Sequence, residues 1–419
     1  MLCRPRQVDK WLPADFVKVR YNNIYCGVQR ACFLRVAFGI LLVFATYLDQ
    51  SAAMSAEWTA EPAMRFELQY HDNPRLTNQR HNGEMSAVAS PNLKMGVKTP
   101  QSALKGDARL NIVRYSEEHD FDSNDLYLDM TSQHKTQRSL WALDAAYDYN
   151  TTVTSEFEET GLVQESIRRK FTEIVPSWQS TITEKTILAL NYAHTAVDYV
   201  DGSSVGLFDY DNQVVSMNIA HQYSQRTKVT ATIMASHYDS PGSGAEFDNA
   251  AITLGAEWSV AENLQAGLSV GRRDTKSSIR DQIDDEDNGL VLSGSFNRAS
   301  PLTIWTGSLT RTITPSGLGY AVLNDHLLLS FNKKMTQMLR FVVKADAYRY
   351  KSLREEISGI DRLYSQFETG LNWRLTRDWS ITASYRYRQQ KYDQQDGSAK
   401  DNMVRASVNY AWQKRTLSR

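Results

Sequence analysis

From residue 33 to residue 419 the chain has no cysteine; its three thiols, Cys3, Cys26 and Cys32, all come earlier. That absence excludes a disulfide scaffold, a cysteine zinc site and a cysteine nucleophile from nearly the whole protein. It also suits an oxidising compartment, where stray thiols are a liability. Proline is scarce, at 10 in 419 residues, so strand ladders are seldom interrupted. After residue 48 no hydrophobic run approaches the length of a membrane helix. Yet apolar residues make up 42% of the chain at a mean hydropathy of −0.47. They are therefore spread along the chain rather than collected into blocks.

No excess of charge of one sign exists either: 47 Lys and Arg face 48 Asp and Glu. A nucleic-acid partner is not expected from such a balance. Catalytic spacings are missing as well. None of the eight histidines (His71, His81, His119, His134, His194, His221, His237, His326) falls in an HExxH or His-x-His pattern, and there is no GxSxG elbow or P-loop. His71-Asp72 and His237-Tyr238-Asp239-Ser240 are the closest approach to a catalytic grouping. A His beside an Asp at a strand end is usually just a polar border residue, so no enzyme and no cofactor are expected. The acidic run Asp281-Gln282-Ile283-Asp284-Asp285-Glu286-Asp287 lacks the ligand spacing and central glycine of an EF-hand. It is expected to be a solvated loop without a metal.

What is present begins with a leader. Arg30 and Arg35 precede the apolar run Val36–Leu48, and Ala53 ends a small-residue cleavage sequence. A charged segment, a short apolar core and small residues at −1 and −3 describe a secretory signal peptide over residues 1–53. A cut after Ala56 is the alternative. Removing residues 1–53 takes away seven Lys/Arg and three Asp/Glu, leaving 40 basic and 45 acidic residues and a net charge of −5.

Residues 54–419 repeat one pattern, a period-two alternation over stretches of about ten residues. In Trp379–Arg388 the residues Trp379, Ile381, Ala383, Tyr385 and Tyr387 share one face, and Ser380, Thr382, Ser384, Arg386 and Arg388 the other. A helix would scatter both sets, whereas a strand separates them. Val404–Trp412, Leu339–Ala347, Leu363–Leu375, Leu104–Ile112 and Trp141–Tyr149 behave alike. About 18 such segments follow one another, with 16 as the alternative count. Their connections are sorted. Tight gaps near 98–100, 136–137, 181–183, 224–225, 259–261, 299–300, 333–335 and 376 alternate with longer, polar gaps. Among the longer ones are 73–83, 152–165, 198–209, 239–246 and 274–287. This is the order of short periplasmic turns and longer extracellular loops. The expected fold is therefore all-β, an antiparallel up-and-down transmembrane barrel. Both termini would lie in the periplasm and the barrel would sit in a bacterial outer membrane. Its expected partners are membrane lipid and the barrel-assembly machinery.

Charges on the lipid face would be costly, about 2–4 kcal/mol for Arg or Lys at mid-bilayer. The polar face must then line the lumen, and at about 18 strands the lumen holds water unless a loop plugs it. The candidate lumen residues are Lys105, Asp107, Arg109, Asp144, Asp148, Arg340, Lys344, Asp346, Glu368, Arg374, Arg386, Arg388 and Arg405. One reading is simple wall solvation with cross-pairing. Alternatively, Arg340, Lys344, Arg374, Arg386, Arg388 and Arg405 form a cationic strip that favours anionic solutes.

The segment Phe66-Glu67-Leu68-Gln69-Tyr70-His71-Asp72-Asn73-Pro74-Arg75-Leu76-Thr77 resembles the first strand and Tyr-Asp-Asp-Asn motif of the β-barrel porin 2 group, with His71 in place of the first Asp. Thr312–Gly319, Asp361–Tyr364 and Leu375–Trp379 are similar to that group as well. The group includes outer-membrane proteins encoded with exopolysaccharide and PEP-CTERM/exosortase systems. The resemblance implies an outer-membrane channel connected with export of surface polysaccharide, with polysaccharide export components as partners. The alternative function is a plugged structural or adhesive barrel whose loops bind polysaccharide, and an enzyme acting on lipid or peptide ranks below both. The final strand departs from the usual aromatic ending, since Trp412 is followed by seven more residues. Intact-mass analysis of protein recovered from membranes should give a chain beginning at Met54. A mass retaining residues 1–53 would refute the leader.

Overall fold

The computed structural model describes residues 56–78, 82–156, 166–279, 284–353, 361–392 and 397–418. The leader, and Asp281–Ile283 of the acidic run, lie outside the described residues. Eighteen antiparallel strands follow in chain order. They are β1 (Glu57–His71), β2 (Glu84–Lys98), β3 (Ser102–Tyr115), β4 (Ser123–Lys135), β5 (Ser139–Thr151), β6 (Arg168–Thr183), β7 (Thr186–Tyr199), β8 (Tyr210–Gln222) and β9 (Thr227–Ser240). The second half comprises β10 (Ala245–Ala261), β11 (Leu264–Ile279), β12 (Asp284–Ala299), β13 (Thr303–Ser316), β14 (Tyr320–Lys334), β15 (Leu339–Ser352), β16 (Arg362–Arg374), β17 (Trp379–Tyr392) and β18 (Ala399–Ala411). A four-residue β19 (Arg415–Ser418) comes last. One helical turn, α1 (Thr152–Ser155), follows β5.

Each strand pairs with its sequence neighbour, and β1 also pairs with β18, from Ala63 opposite Ala411 to His71 opposite Met403. The sheet is thereby closed and has no free edge along that seam, so the backbone donors and acceptors of β1 and β18 satisfy one another. The count of eighteen, rather than sixteen, follows directly. The start of β1 and the end of β18 lie at the end carrying the short turns, because Ala63 faces Ala411 while His71 at the far end enters a longer loop.

The register separates two faces. On β10, Ile252, Leu254 and Trp258 point outward and are exposed, as do Leu268 and Val270 on β11 and Leu327 and Leu329 on β14. Thr253, on the opposite face, stands across from Thr232 and Gly271. An outward belt of Leu, Ile, Val, Phe and Trp that continues over so many strands needs lipid rather than water around it.

Two connections differ from the sequence expectation. The gaps expected near 239–246 and 274–287 are much shorter, because β9, β10, β11 and β12 run on past the apolar belt. In these extensions the outward face turns polar, and cross-strand ion pairs replace apolar alternation there. Outward His237 Nδ1 lies 2.8 Å from Asp248 Oδ1, and Lys276 Nζ lies 2.8 Å from Glu286 Oε1. The acidic residues Asp284–Asp287, expected in a loop, therefore belong to β12. Alternation of apolar residues marks where lipid ends, not where pairing ends.

Leu254 is 64% exposed near the middle of the belt. Leu254→Arg should cost about 2–4 kcal/mol in reversible folding into lipid vesicles. Thr253→Arg, facing the lumen, should cost distinctly less; equal losses would refute the assignment of faces.

Candidate functional site

The inward face bounds a cavity of about 930 Å³ that runs from the short turns after β14 and β16 up to Tyr115, Asp125 and α1. All thirteen sequence candidates occupy this face by register. Arg340 stands opposite Asn372, Lys344 opposite Glu368, and Asp346 opposite Gln366. Arg386 stands opposite Glu368 and Met403, Arg388 opposite Gln366 and Asp401, and Arg405 opposite Ser384 and Gln69. On the other side of the barrel Lys105 faces Gly96 and Thr131, Asp107 faces Asp129, and Asp144 and Asp148 face Val175 and Phe171. The Arg109 guanidinium lies 4.5 Å from the centroid of the Tyr127 ring. Asp346 Oδ1 is 2.7 Å from His326 Nε2, and Arg374 donates to the Gln337 carbonyl.

The six basic residues of the strip do not behave as one set. Arg388 is buried and its Nε and Nη2 donate to Asp401 Oδ2 at 2.8 and 2.6 Å. Arg405 is bonded to Glu368 and lies 3.8 Å from Glu67. Glu67 also accepts from Arg65 and Gln69. Among the described residues Arg340, Lys344, Arg374 and Arg386 have no carboxylate within ion-pair distance. Arg340 and Arg374 lie toward the short turns, below this crosslinked part, whereas Lys344 and Arg386 stand beside Glu368 at its level.

Asp401 ties the upper part together. It is fully buried, and besides Arg388 it meets His71 Nδ1 at 3.4 Å and accepts from the Asn73 backbone N–H at 3.2 Å. Arg65, Glu67, Gln69 and Asp401 are absent from the sequence candidates. Period two would have found them, since they share a face with Arg405 across β1 and β18.

The long-loop end is not an open rim. One buried apolar cluster joins Val197, Tyr199, Leu207, Tyr210, Tyr238, Phe247 and Ala321. A second joins Leu76, Val322, Tyr348, Tyr350, Tyr364 and Ala399, with the Arg362 guanidinium 5.1 Å from the Tyr348 and Tyr350 ring centroids. Ala321 and Val322 are neighbours on β14, so the tip of the β13–β14 hairpin lies between the clusters. β12 accompanies β13 only as far as Leu292 opposite Arg311, which frees that tip to lean inward. Its turn touches distant strands: Phe208 N–H donates to the Gly317 carbonyl at 2.7 Å and the Tyr238 hydroxyl to the Ser316 carbonyl at 2.9 Å. Glycine is required there, because a Cβ on Gly317 would fall 2.3 Å from the Tyr199 hydroxyl oxygen.

The residues considered for catalysis do not converge. Tyr238 and Ser240 are buried on the inward side, whereas His237 is exposed beside Asp248. The Ser240 hydroxyl donates to the Asp209 carbonyl. Among the described residues no group of three or more metal-type side chains comes together.

No protein-family model matches the chain, and no curated protein matches it either. Solved structures do. OccAB3 of Acinetobacter baumannii is similar at a TM-score of 0.47 and 10% identity, covering 85% of this chain and 99% of that one. The outer membrane protein opdK of Pseudomonas aeruginosa gives 0.46 and 11%, covering 85% and 99%. OccK2 (OpdF) of Pseudomonas aeruginosa, solved with glucuronate, gives 0.47 and 9%, covering 85% and 97%. At such identities the likeness concerns the fold alone.

Asp401→Ala leaves the buried Arg388 without its counter-charge and should cost about 3–5 kcal/mol, seen as a lower urea midpoint of unfolding. Removing both charges, as Asp401→Leu with Arg388→Met, should cost less than the sum of the single changes. Additive losses would refute the coupling.

Proposed function

We propose that the protein is an outer-membrane channel for polar solutes that favours anions. One observation carries this: the side chains lining the 930 Å³ cavity include eight Lys or Arg and only four Asp or Glu. In a water-filled passage with low-dielectric walls, such an excess raises the local concentration of anions and lowers that of cations. The uncompensated charge is greatest where Arg340 and Arg374, with Arg377 beside them, approach the short turns. The secretory leader and the closed barrel with its apolar belt support placement in the outer membrane. The short turns and both chain termini would then be periplasmic. The likeness of residues 66–77 to the β-barrel porin 2 group supports a finer assignment, passage of anionic surface polysaccharide during export. Barrel-assembly machinery and polysaccharide export components are the partners this assignment requires.

A second function is favoured by a separate observation. The two apolar clusters at the long-loop end suit a plugged barrel whose loops hold surface polymer. Planar-bilayer recording of the purified protein separates the two. The channel reading expects unit currents and, under a salt gradient, a reversal potential of the anion-preferring sign. Arg340→Gln combined with Arg374→Gln should move that potential toward zero. Cation preference would refute the charge assignment, and absence of channels would favour the plug.

A further inference from the structure

The chain leaving β1 does not run outward from the barrel. The Asp72 carboxylate accepts from the backbone N–H and side-chain amide of Asn402, both at 2.6 Å. The Asn73 amide donates to the Lys400 carbonyl at 3.0 Å and the Thr77 carbonyl at 2.8 Å, while its own oxygen accepts from the Thr77 N–H. Residues 73–77 are thus drawn into a small ring and tied to β18. From this base the hook reaches two other parts of the mouth. Arg75 lies 4.5 Å over the Phe121 ring and bonds Glu118 at 3.0 Å, in the connection between β3 and β4. Leu76 is only 2% exposed and is seated with Val322, Tyr348 and Tyr364 on β14, β15 and β16. Its φ of +49° is a left-handed conformation that a leucine rarely adopts. The surrounding contacts hold it there, a type of backbone outlier that gathers at functional positions.

Resting on the channel reading, we propose that Asp72–Thr77 is a fixed strut across the mouth and that Leu76 sets the size limit of the passage. A swinging lid needs a hinge with few ties. This segment instead has polar ties to β18 at its base, a closed ring in its middle and a buried apolar end. On its β14 side the strut meets the base of the β13–β14 tip, whose Val322 contributes to the same seat. Solutes are then screened by width here and by charge lower down, at Arg340 and Arg374.

Leu76→Gly tests the strut while favouring its backbone, since glycine accepts the left-handed conformation. Single-channel recording in KCl with neutral polyethylene glycols of graded mass is the readout. The variant should show a higher unit conductance and lose exclusion of polymers that the wild type rejects. Unchanged conductance and unchanged exclusion overturn the proposal. A second measurement does not depend on current: in the cysteine-free mature chain, L76C should react with maleimide slowly when folded and fast when unfolded. Fast labelling of the folded protein overturns the seated hook alone. Failure of both wild type and Leu76→Gly to conduct overturns the channel reading and the size-limit role with it.

Discussion

Closure of the β1–β18 seam is the constraint on which everything else depends. Inside a bilayer no water can satisfy a backbone N–H or C=O, and each one left alone costs several kcal/mol. A sheet with two free edges could not remain there. Once Ala63 through His71 pair with Ala411 through Met403, every strand has two neighbours, and the inside and outside of the protein become distinct environments. Period-two alternation then has a chemical meaning. Outward residues meet hydrocarbon, so they are Leu, Ile, Val and aromatics; inward residues meet water and one another, so charge is admitted.

Charge in the lumen serves two ends that the geometry keeps apart. Near the long-loop end, Asp401 with Arg388 and His71, and Glu67 with Arg65, Gln69 and Arg405, join strands on either side of the seam. A buried charge that loses its partner is expensive, so these pairs hold β1, β17 and β18 in one register at the place where the barrel closes. Toward the short turns the positive charges of Arg340 and Arg374 are left without carboxylates among the described residues. Charge that is not consumed by the wall is left facing the lumen.

The mouth follows a different rule. Its loops are not held by polar groups alone, because the hook at Leu76 and the tip at Leu318–Ala321 bury apolar side chains against tyrosines of the inner wall. A wide barrel offers an inner surface that loops can pack upon. Segments that would be rim decoration on a narrow barrel become internal structure here.

The sequence by itself determined the barrel, the eighteen strands and the sorting of short and long connections. These depend on local period and composition, which lipid imposes strand by strand. It cut β9 to β12 short at the long-loop end, because beyond the belt the pattern of apolar residues stops while cross-strand pairing such as Lys276 with Glu286 continues. Which charges are consumed and which remain free was decided only by the tertiary structure. Arg388 and Arg386 are two residues apart on one face, yet one meets Asp401 and the other meets no carboxylate among the described residues. The inward turn of residues 72–77 was likewise beyond the sequence. Its partners at β14–β16 and β18 lie some 250 residues or more away along the chain, and only closure of the seam brings them to the same mouth.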